Sequence, residues 1–317
     1  MERRSRRTIQ RLGRTPKYSA LLLALLFASV CPSASAAAQE TGKQFDTPGA
    51  TIYYEVIGSG AGTPLVLVNG GPGFDHTYLH VSPAWNSLAA GRRVVFYDQR
   101  GNGRSTAKRG QTYSLADQID DLDALRAHLG FERMDLLGHS WGGFLVMAYA
   151  ARHPDRIAHL MIIDSAAPVF HDTVFLFKDV FPEVVERRSG FSFADEFGNA
   201  KATEGELREY LSMLFYSTEK RDAFLAGFSS SSFSRAVNRA VNQDIVRFDL
   251  NPEIRKFKFP VLVVTGRYDM NVAPSVAYKI HQSIPGSSFA VFERSGHMPF
   301  YEEPGSFADL LQSFLGK

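Results

Sequence analysis

Short apolar runs recur along the chain, with amphipathic stretches between them. Thr51 to Ile57 alternates apolar and polar positions as a half-buried strand does. Leu65–Val68 and Val94–Tyr97 are unbroken apolar runs, the pattern of strands covered on both faces of a parallel sheet. Met134–Leu137, Leu160–Ile163, Val261–Val264 and Phe289–Phe292 repeat it. Ser114 opens a predicted helix in which Leu115, Ile119, Leu122, Leu125 and Leu129 share one face. Asp117, Asp120, Asp121 and Asp123 crowd its early turns, where the helix dipole favours negative charge. Further helices are predicted over the Ala-rich run Phe144 to Arg152 and from Pro304 to Leu315. Strands alternating with helices predict an α/β domain, its mostly parallel central sheet flanked by helices.

One interval breaks the rhythm. Residues 168–250 lack clear apolar strands and read as several helices, with a flexible break at Ser229–Ser232. They hold 12 of the chain's 25 Phe, so their apolar faces need a surface to cover. The expected organisation is a core domain of residues 39–167 and 251–317, with a helical cap inserted as 168–250. Most of those Phe are expected to form the cap's own core, and a few to line a cleft against the main domain, where ligands usually bind.

The N-terminus reads as an address. Arg3, Arg4, Arg6, Arg7, Arg11, Arg14 and Lys17 precede an apolar stretch from Ala20 to Val30, and small residues from Ser33 to Ala38 follow. A basic region, a short apolar region and an A-x-A cleavage zone predict a signal peptide over residues 1–38 and an exported protein, periplasmic or secreted. The apolar run is short for a bilayer span; an uncleaved anchor is the alternative. Val30 and Pro32 fit lipid attachment at Cys31 poorly. The whole chain carries +2 and the leader +6, which leaves about −4 for the remainder. The basic balance therefore belongs to the leader, and no basic patch argues for nucleic acid. No stable membrane association is expected after cleavage. The single cysteine also lies in the leader, which leaves no disulfide to the rest.

Chemistry concentrates at Gly138-His139-Ser140-Trp141-Gly142-Gly143, between a predicted strand and a predicted helix. Gly-x-Ser-x-Gly in that setting is the pattern of a nucleophile elbow, which makes Ser140 the candidate nucleophile. A serine hydroxyl needs a base to take its proton, and the base needs a third group to orient it. In the chain order Ser, acid, His, both partners follow Ser140 at strand ends. Asp269, just beyond Val261–Val264, is the candidate acid, and His297, just beyond Phe289–Phe292, the candidate base. Asp164 also ends a strand and is the reserve acid. An acyl-transfer site further needs donors for the developing oxyanion. Trp141 N–H is one candidate, and Gly71 N–H, in Asn69-Gly70-Gly71-Pro72-Gly73, is the other, with Gly70 behind it. Among the other histidines, His153 is expected at the surface, His139 to pack beside the nucleophile, and His76 and His80 to be solvated loop residues unless they touch substrate. No metal-ligand spacing and no P-loop or dinucleotide fingerprint occurs, so neither metal nor cofactor is expected.

Asn69-Gly70-Gly71-Pro72-Gly73, Tyr97-Asp98-Gln99-Arg100-Gly101-Asn102-Gly103-Arg104-Ser105 and Gly138-His139-Ser140-Trp141-Gly142 together resemble the proline iminopeptidase-like group of α/β-hydrolases. The resemblance runs from about Thr51 to Gly143 and again from Val261 to the end, and is weak through the cap. It implies the α/β-hydrolase fold and a Ser/Asp/His hydrolase that removes N-terminal residues, often proline, from short peptides. In that group cap carboxylates hold the substrate's ammonium group. Within the Asp-Gln-Arg-Gly stretch it suggests a structural turn beside the oxyanion loop, with Asp98 and Arg100 paired.

This chain departs from the group at three positions. Asn69 stands where His is usual, His139 where Gly or Ser is common, and Met270 where some relatives carry a Glu used in amine recognition. The cap offers Glu183, Glu186, Glu196, Glu204, Glu206 and Glu209, none of them in a matching motif. The expected function is a proline iminopeptidase-like aminopeptidase acting on short peptides. The alternatives are a carboxylesterase or other small-molecule ester or amide hydrolase, and a non-catalytic binding protein of the same fold. The expected partner is a short-peptide or small-molecule substrate, and the oligomeric state is open.

Overall fold

A computed structural model describes residues 42–187, 204–229 and 232–316. The leader expectation over residues 1–38, Cys31 included, lies outside the described residues, as do Glu196, the side chain of Glu186 and Ser230 and Ser231 of the serine run. Residues 37–317 form one compact unit.

Each apolar run becomes a strand, and its unbroken character has a direct cause. Side chains alternate between the faces of a sheet, so a strand covered on both sides needs apolar residues at every position. Val66 and Val68, Val95 and Tyr97, and Val261 and Val263 enter one core. Leu65 and Leu67, Val94 and Phe96, and Leu262 and Val264 enter the other. The Leu115–His128, Trp141–Arg152 and Pro274–Ser283 helices contribute to the first core. The Ala84–Ala89 and Pro304–Leu315 helices contribute to the second.

The strands are β1 (Lys43–Asp46), β2 (Ala50–Ile57), β3 (Gly62–Val68), β4 (Arg92–Tyr97), β5 (Thr106–Ala107), β6 (Met134–His139), β7 (Ile157–Ile163), β8 (Val261–Gly266) and β9 (Ser288–Phe292). Among the described residues they form one sheet in the order β1-β2-β4-β3-β6-β7-β8-β9, with β5 paired to β2. From β4 to β9 the neighbours are parallel, while β2 meets β1, β4 and β5 antiparallel. The chain leaves β3 for β4 on one side and returns to β6 on the other. That reversal opens a crevice at the carboxyl ends of β3 and β6, the usual ligand position in open α/β sheets.

Ser114 caps the Leu115–His128 helix by a capping box with Asp117. The acidic first turns do more than meet a dipole. Arg100 Nε and Nη2 donate to the two oxygens of Asp121 at 2.5 and 2.9 Å, and Arg100 also pairs with Asp117 at 3.0 Å. The expected Asp98–Arg100 pair is therefore corrected. Asp98 accepts instead from His76, through Nδ1–H at 2.6 Å and the backbone N–H at 3.0 Å, and from Arg104 N–H at 2.8 Å.

Within 168–250 the described residues form short helices, Phe177–Val180, Pro182–Arg187, Glu204–Ser212, Thr218–Gly227 and Arg235–Ile245. They are tied to the loops at the carboxyl edge of the sheet. Ser234 N–H donates to Gly73 O at 2.7 Å, Asp75 N–H to Ser232 O at 2.9 Å, and His297 N–H to Leu214 O at 2.7 Å.

Candidate active site

Ser140 sits between β6 and the Trp141–Arg152 helix at φ 56° and ψ −121°, backbone territory a side chain rarely occupies. Its flanking glycines are required by close approach. A Cβ on Gly138 would lie 2.2 Å from Gly142 O, and one on Gly142 would lie 2.1 Å from Val68 O. The spacing Gly-x-Ser-x-Gly is thus a steric condition for turning the chain this tightly against β3.

The loops after β8 and β9 bring Asp269 and His297 together, both buried. His297 Nδ1–H donates to Asp269 Oδ2 at 2.7 Å. Asp269 Oδ1 accepts from the backbone N–H groups of Asn271 and Val272, each at 2.9 Å. Both carboxylate oxygens are therefore met, and the imidazole is held in one tautomer with Nε2 as acceptor. Glu302 supports the same loop by accepting from Gly296 N–H at 2.6 Å. Ser140 and His297 line one cavity, and among the described residues no hydrogen bond reaches Ser140 Oγ.

Asp164, the reserve acid, ends β7 at φ 46° and is buried beside this pair. Its Oδ1 accepts from Gly266 N–H at 2.9 Å, while no donor meets Oδ2. Burial, and then the neighbouring charge of Asp269, push its carboxyl well above the ordinary carboxylate range. It is Asp269, not Asp164, that accepts from the His297 imidazole.

The candidate oxyanion loop follows β3. Gly70 N–H donates to Tyr78 Oη at 2.6 Å, which commits that donor elsewhere and leaves Gly71 as the candidate. Gly71 has φ 125°, and a Cβ there would lie 2.6 Å from Gly73 N. Gln99 joins the two candidate oxyanion segments: its Nε2 donates to Asn69 O at 2.8 Å and its Oε1 accepts from Trp141 Nε1–H at 2.9 Å. His139 does more than pack. Its Nε2–H donates to the backbone carbonyl of His297 at 2.7 Å, and its Nδ1 accepts from Tyr78 O–H at 2.7 Å. Burial, and next the neighbouring His297, hold His139 well below its ordinary range, so it stays neutral and this chain of donors runs in one direction.

Two cavities meet at Ser140. One is lined by Phe74, Leu211, Leu214, Phe224, Phe228 and Met298 around Ser140 and His297. The other has Phe170, Phe175, Asn238, Asn242 and Asn271 around Ser140, Gly71 and Trp141. Tyr210 lines both. Among the described residues, no carboxylate side chain lines either one. Nothing in the sequence pattern singled out Tyr78, Tyr210 or Asn271; the only available signal was the position of Asn271 two residues after Asp269.

His76 and His80 lie away from both cavities, and His76 is buried rather than solvated. Their ring nitrogens face Glu55 at 3.3 Å each. Burial alone would lower His76, but hydrogen bonds to Asp98 and Glu55 outweigh it and raise the group to about 9. The hydrogen bond from His76 in turn lowers Glu55 to about 2. Tyr53 O–H also donates to Glu55 at 2.6 Å, and Arg104 pairs with it at 3.3 Å. An imidazolium and a guanidinium around one carboxylate make an ion-pair network, a charge arrangement hostile to a further cation. His153 is half-buried against Tyr149, with ring centroids 5.0 Å apart, rather than at the surface.

A family model for the alpha/beta hydrolase fold matches residues 63–304. A proline iminopeptidase of Clostridium botulinum is 29% identical over 294 residues, covering 84% of this chain and 94% of the relative. A proline iminopeptidase of Saccharolobus solfataricus is 27% identical over 289 residues, covering 84% and 89%. Among solved structures, an esterase from Rhodococcus sp. is similar with a TM-score of 0.71 at 22% identity, covering 87% of this chain and 98% of that one. The enol-lactonase from Burkholderia xenovorans is similar with a TM-score of 0.69 at 23% identity, covering 87% and 100%. The sheet order, the matched span and these relatives agree with the resemblance drawn from the glycine motifs, and the chain is a hydrolase belonging to the alpha/beta hydrolase fold family.

Proposed function

We propose that the protein is an exported serine hydrolase in which Ser140 is the nucleophile, His297 the general base and Asp269 the residue that orients it. Ser140 Oγ attacks the substrate carbonyl carbon as its proton passes to His297 Nε2. The backbone N–H groups of Gly71 and Trp141 receive the oxyanion. The imidazolium returns the proton to the leaving atom as the acyl bond breaks, and water, deprotonated by the same base, releases the acyl group. The observation that carries this reading is the Asp269–His297 hydrogen bond beside a cavity floored by Ser140 at positive φ. A fluorophosphonate probe is expected to label Ser140 and to leave Ser140→Ala unlabelled. A folded wild-type protein that stays unlabelled overturns the reading.

For the substrate, the relatives' names support an aminopeptidase that releases N-terminal proline from short peptides. A second reading, a small-ester hydrolase, is favoured by the apolar cavity wall and by the lack of a lining carboxylate, among the described residues, to hold an ammonium group. A free-amine proline anilide, its N-acetylated form and a short-chain nitrophenyl ester separate the two. The aminopeptidase cleaves the first and loses activity on acetylation; the esterase turns over the nitrophenyl ester with the higher kcat/KM. Export rests on the basic and apolar leader and is checked by sequencing the N-terminus of protein recovered outside the cytoplasm. Among the described residues no helix is long and apolar enough to cross a membrane.

A further inference from the structure

The lone pair on His297 Nε2, which the proposed reaction needs for the Ser140 proton, is already taken. Asn271 Nδ2–H donates to it at 3.0 Å. The other end of the same carboxamide, Oδ1, accepts from Tyr210 O–H at 3.0 Å. With His297 Nδ1–H given to Asp269, a neutral imidazole can only accept at Nε2, so the amide must present its nitrogen to His297 and its oxygen to Tyr210. The backbone of Asn271 is pinned as well, through its N–H to Asp269 Oδ1 at 2.9 Å. Asn271 and Tyr210 are both buried.

The two partners belong to different parts of the chain. Asn271 follows β8 in the loop that carries Asp269, whereas Tyr210 lies on the Glu204–Ser212 helix. Tyr210 also lines both cavities at Ser140, and Asn271 lines the second. A molecule filling the second cavity therefore meets Tyr210 and Asn271, and one filling the first meets Tyr210 and His297.

We propose that Asn271 is a positioning residue that occupies the Nε2 lone pair of His297 while the cleft is empty, and that Tyr210 latches it there until substrate displaces the hydroxyl. The inference rests on His297 being the base for Ser140. Freed from Tyr210, the carboxamide rotates away and Nε2 becomes available to the serine proton. Cleft occupancy and base activation are then one event, and the empty enzyme holds its nucleophile unactivated. Among the described residues, the ionisable groups set against His297 are Asp269 after β8, Asp164 just after β7 and His139 at the end of β6, while Tyr210 on the Glu204–Ser212 helix reaches it through Asn271; Glu302 holds the backbone of the His297 loop. None of them is altered in charge by removing the carboxamide.

The rate of fluorophosphonate labelling across pH tests the latch. Donation by Asn271 favours the neutral imidazole but competes with Ser140 for it. Asn271→Ala is therefore expected to label about two- to tenfold faster on the alkaline plateau, the range one hydrogen bond supports. Its acid limb should move upward by roughly half to one pH unit. Tyr210→Phe removes only a hydroxyl and should move both readouts in the same direction by less. If Asn271→Ala does not fold, Tyr210→Phe decides alone. Plateau and acid limb both at wild-type values, or a slower plateau accompanied by a lower melting temperature, overturn the latch while wild-type labelling at Ser140 keeps the catalytic reading intact. A wild type that does not label at all overturns both.

Discussion

Asp164 and Asp269 face each other in the interior beside His297, and it is Asp269 that accepts from the imidazole Nδ1–H, at 2.7 Å. Among the described residues Asp164 Oδ2 has no hydrogen-bond partner. Burial, and next Asp269, raise its carboxyl, so folding favours the protonated form. A carboxyl raised above its ordinary value near 3.8 contributes stability that is present below that pH and is lost as pH rises toward the folded-state value. Asp164→Asn keeps the shape and a donor without the proton. Its melting temperature should exceed that of wild type at pH 7, with the difference shrinking toward pH 4. A pH-independent difference would overturn the raised Asp164 carboxyl.

Asp269 should behave differently although it lies next door. Asp269→Asn leaves His297 without its fixed tautomer, and kcat should fall by about 10⁴ with KM little changed, the pattern of a lost orienting carboxylate. Asp164→Asn should stay within about tenfold of wild type in the same assay. Equal losses in the two variants would mean that the orienting role is shared.

Gln99 offers a test of the proposed oxyanion geometry away from the proposed triad. Replacing it with Leu leaves Asn69 O and Trp141 Nε1–H without their partner, at about 1–3 kcal/mol per buried group. Part of that cost should appear as looser placement of the Gly71 and Trp141 N–H groups. The expected result is a kcat lowered by about one to two orders of magnitude, with Ser140 still labelled by the probe and KM nearly unchanged. A change confined to KM would place Gln99 in substrate binding instead.

The Arg100–Asp121 pair should matter to stability and not to chemistry. Arg100→Ala strands a buried carboxylate beneath the Asp98–Ser105 turn and should cost about 3–5 kcal/mol in denaturant unfolding. Labelling of the fraction that remains folded should proceed at the wild-type rate.

Ser140 is strained by its position. Glycine adopts φ 56° without penalty, alanine does not, so Ser140→Gly should be more stable than Ser140→Ala by about 1 kcal/mol. The two variants share the loss of the hydroxyl, and equal stability would mean that the elbow stores no strain.

Much of this molecule was legible in the order of its residues. The runs Leu65–Val68, Val94–Tyr97 and Val261–Val264 could only be strands covered on both faces, because alternation sends each second side chain to the opposite side. Gly138 and Gly142 around Ser140 encoded a tight turn through the absence of a Cβ, and chain order pointed to Asp269 and His297. These are local conditions, set by residues a few positions apart.

Tertiary packing decided the partners. Arg100 sits two residues from Asp98 yet reaches Asp121, because Asp98 is claimed by His76 and the Leu115–His128 helix carries its acidic first turns over the guanidinium. Asn271 and Tyr210 are 61 positions apart, and only the docking of the Glu204–Ser212 helix against the loop after β8 brings the hydroxyl to the carboxamide. The sequence determined the elements and the order of the reacting groups, since periodicity and backbone sterics act between near neighbours. The hydrogen bonds of the site were decided by how those elements pack as rigid bodies, where a rotation of one helix selects which donor meets which acceptor.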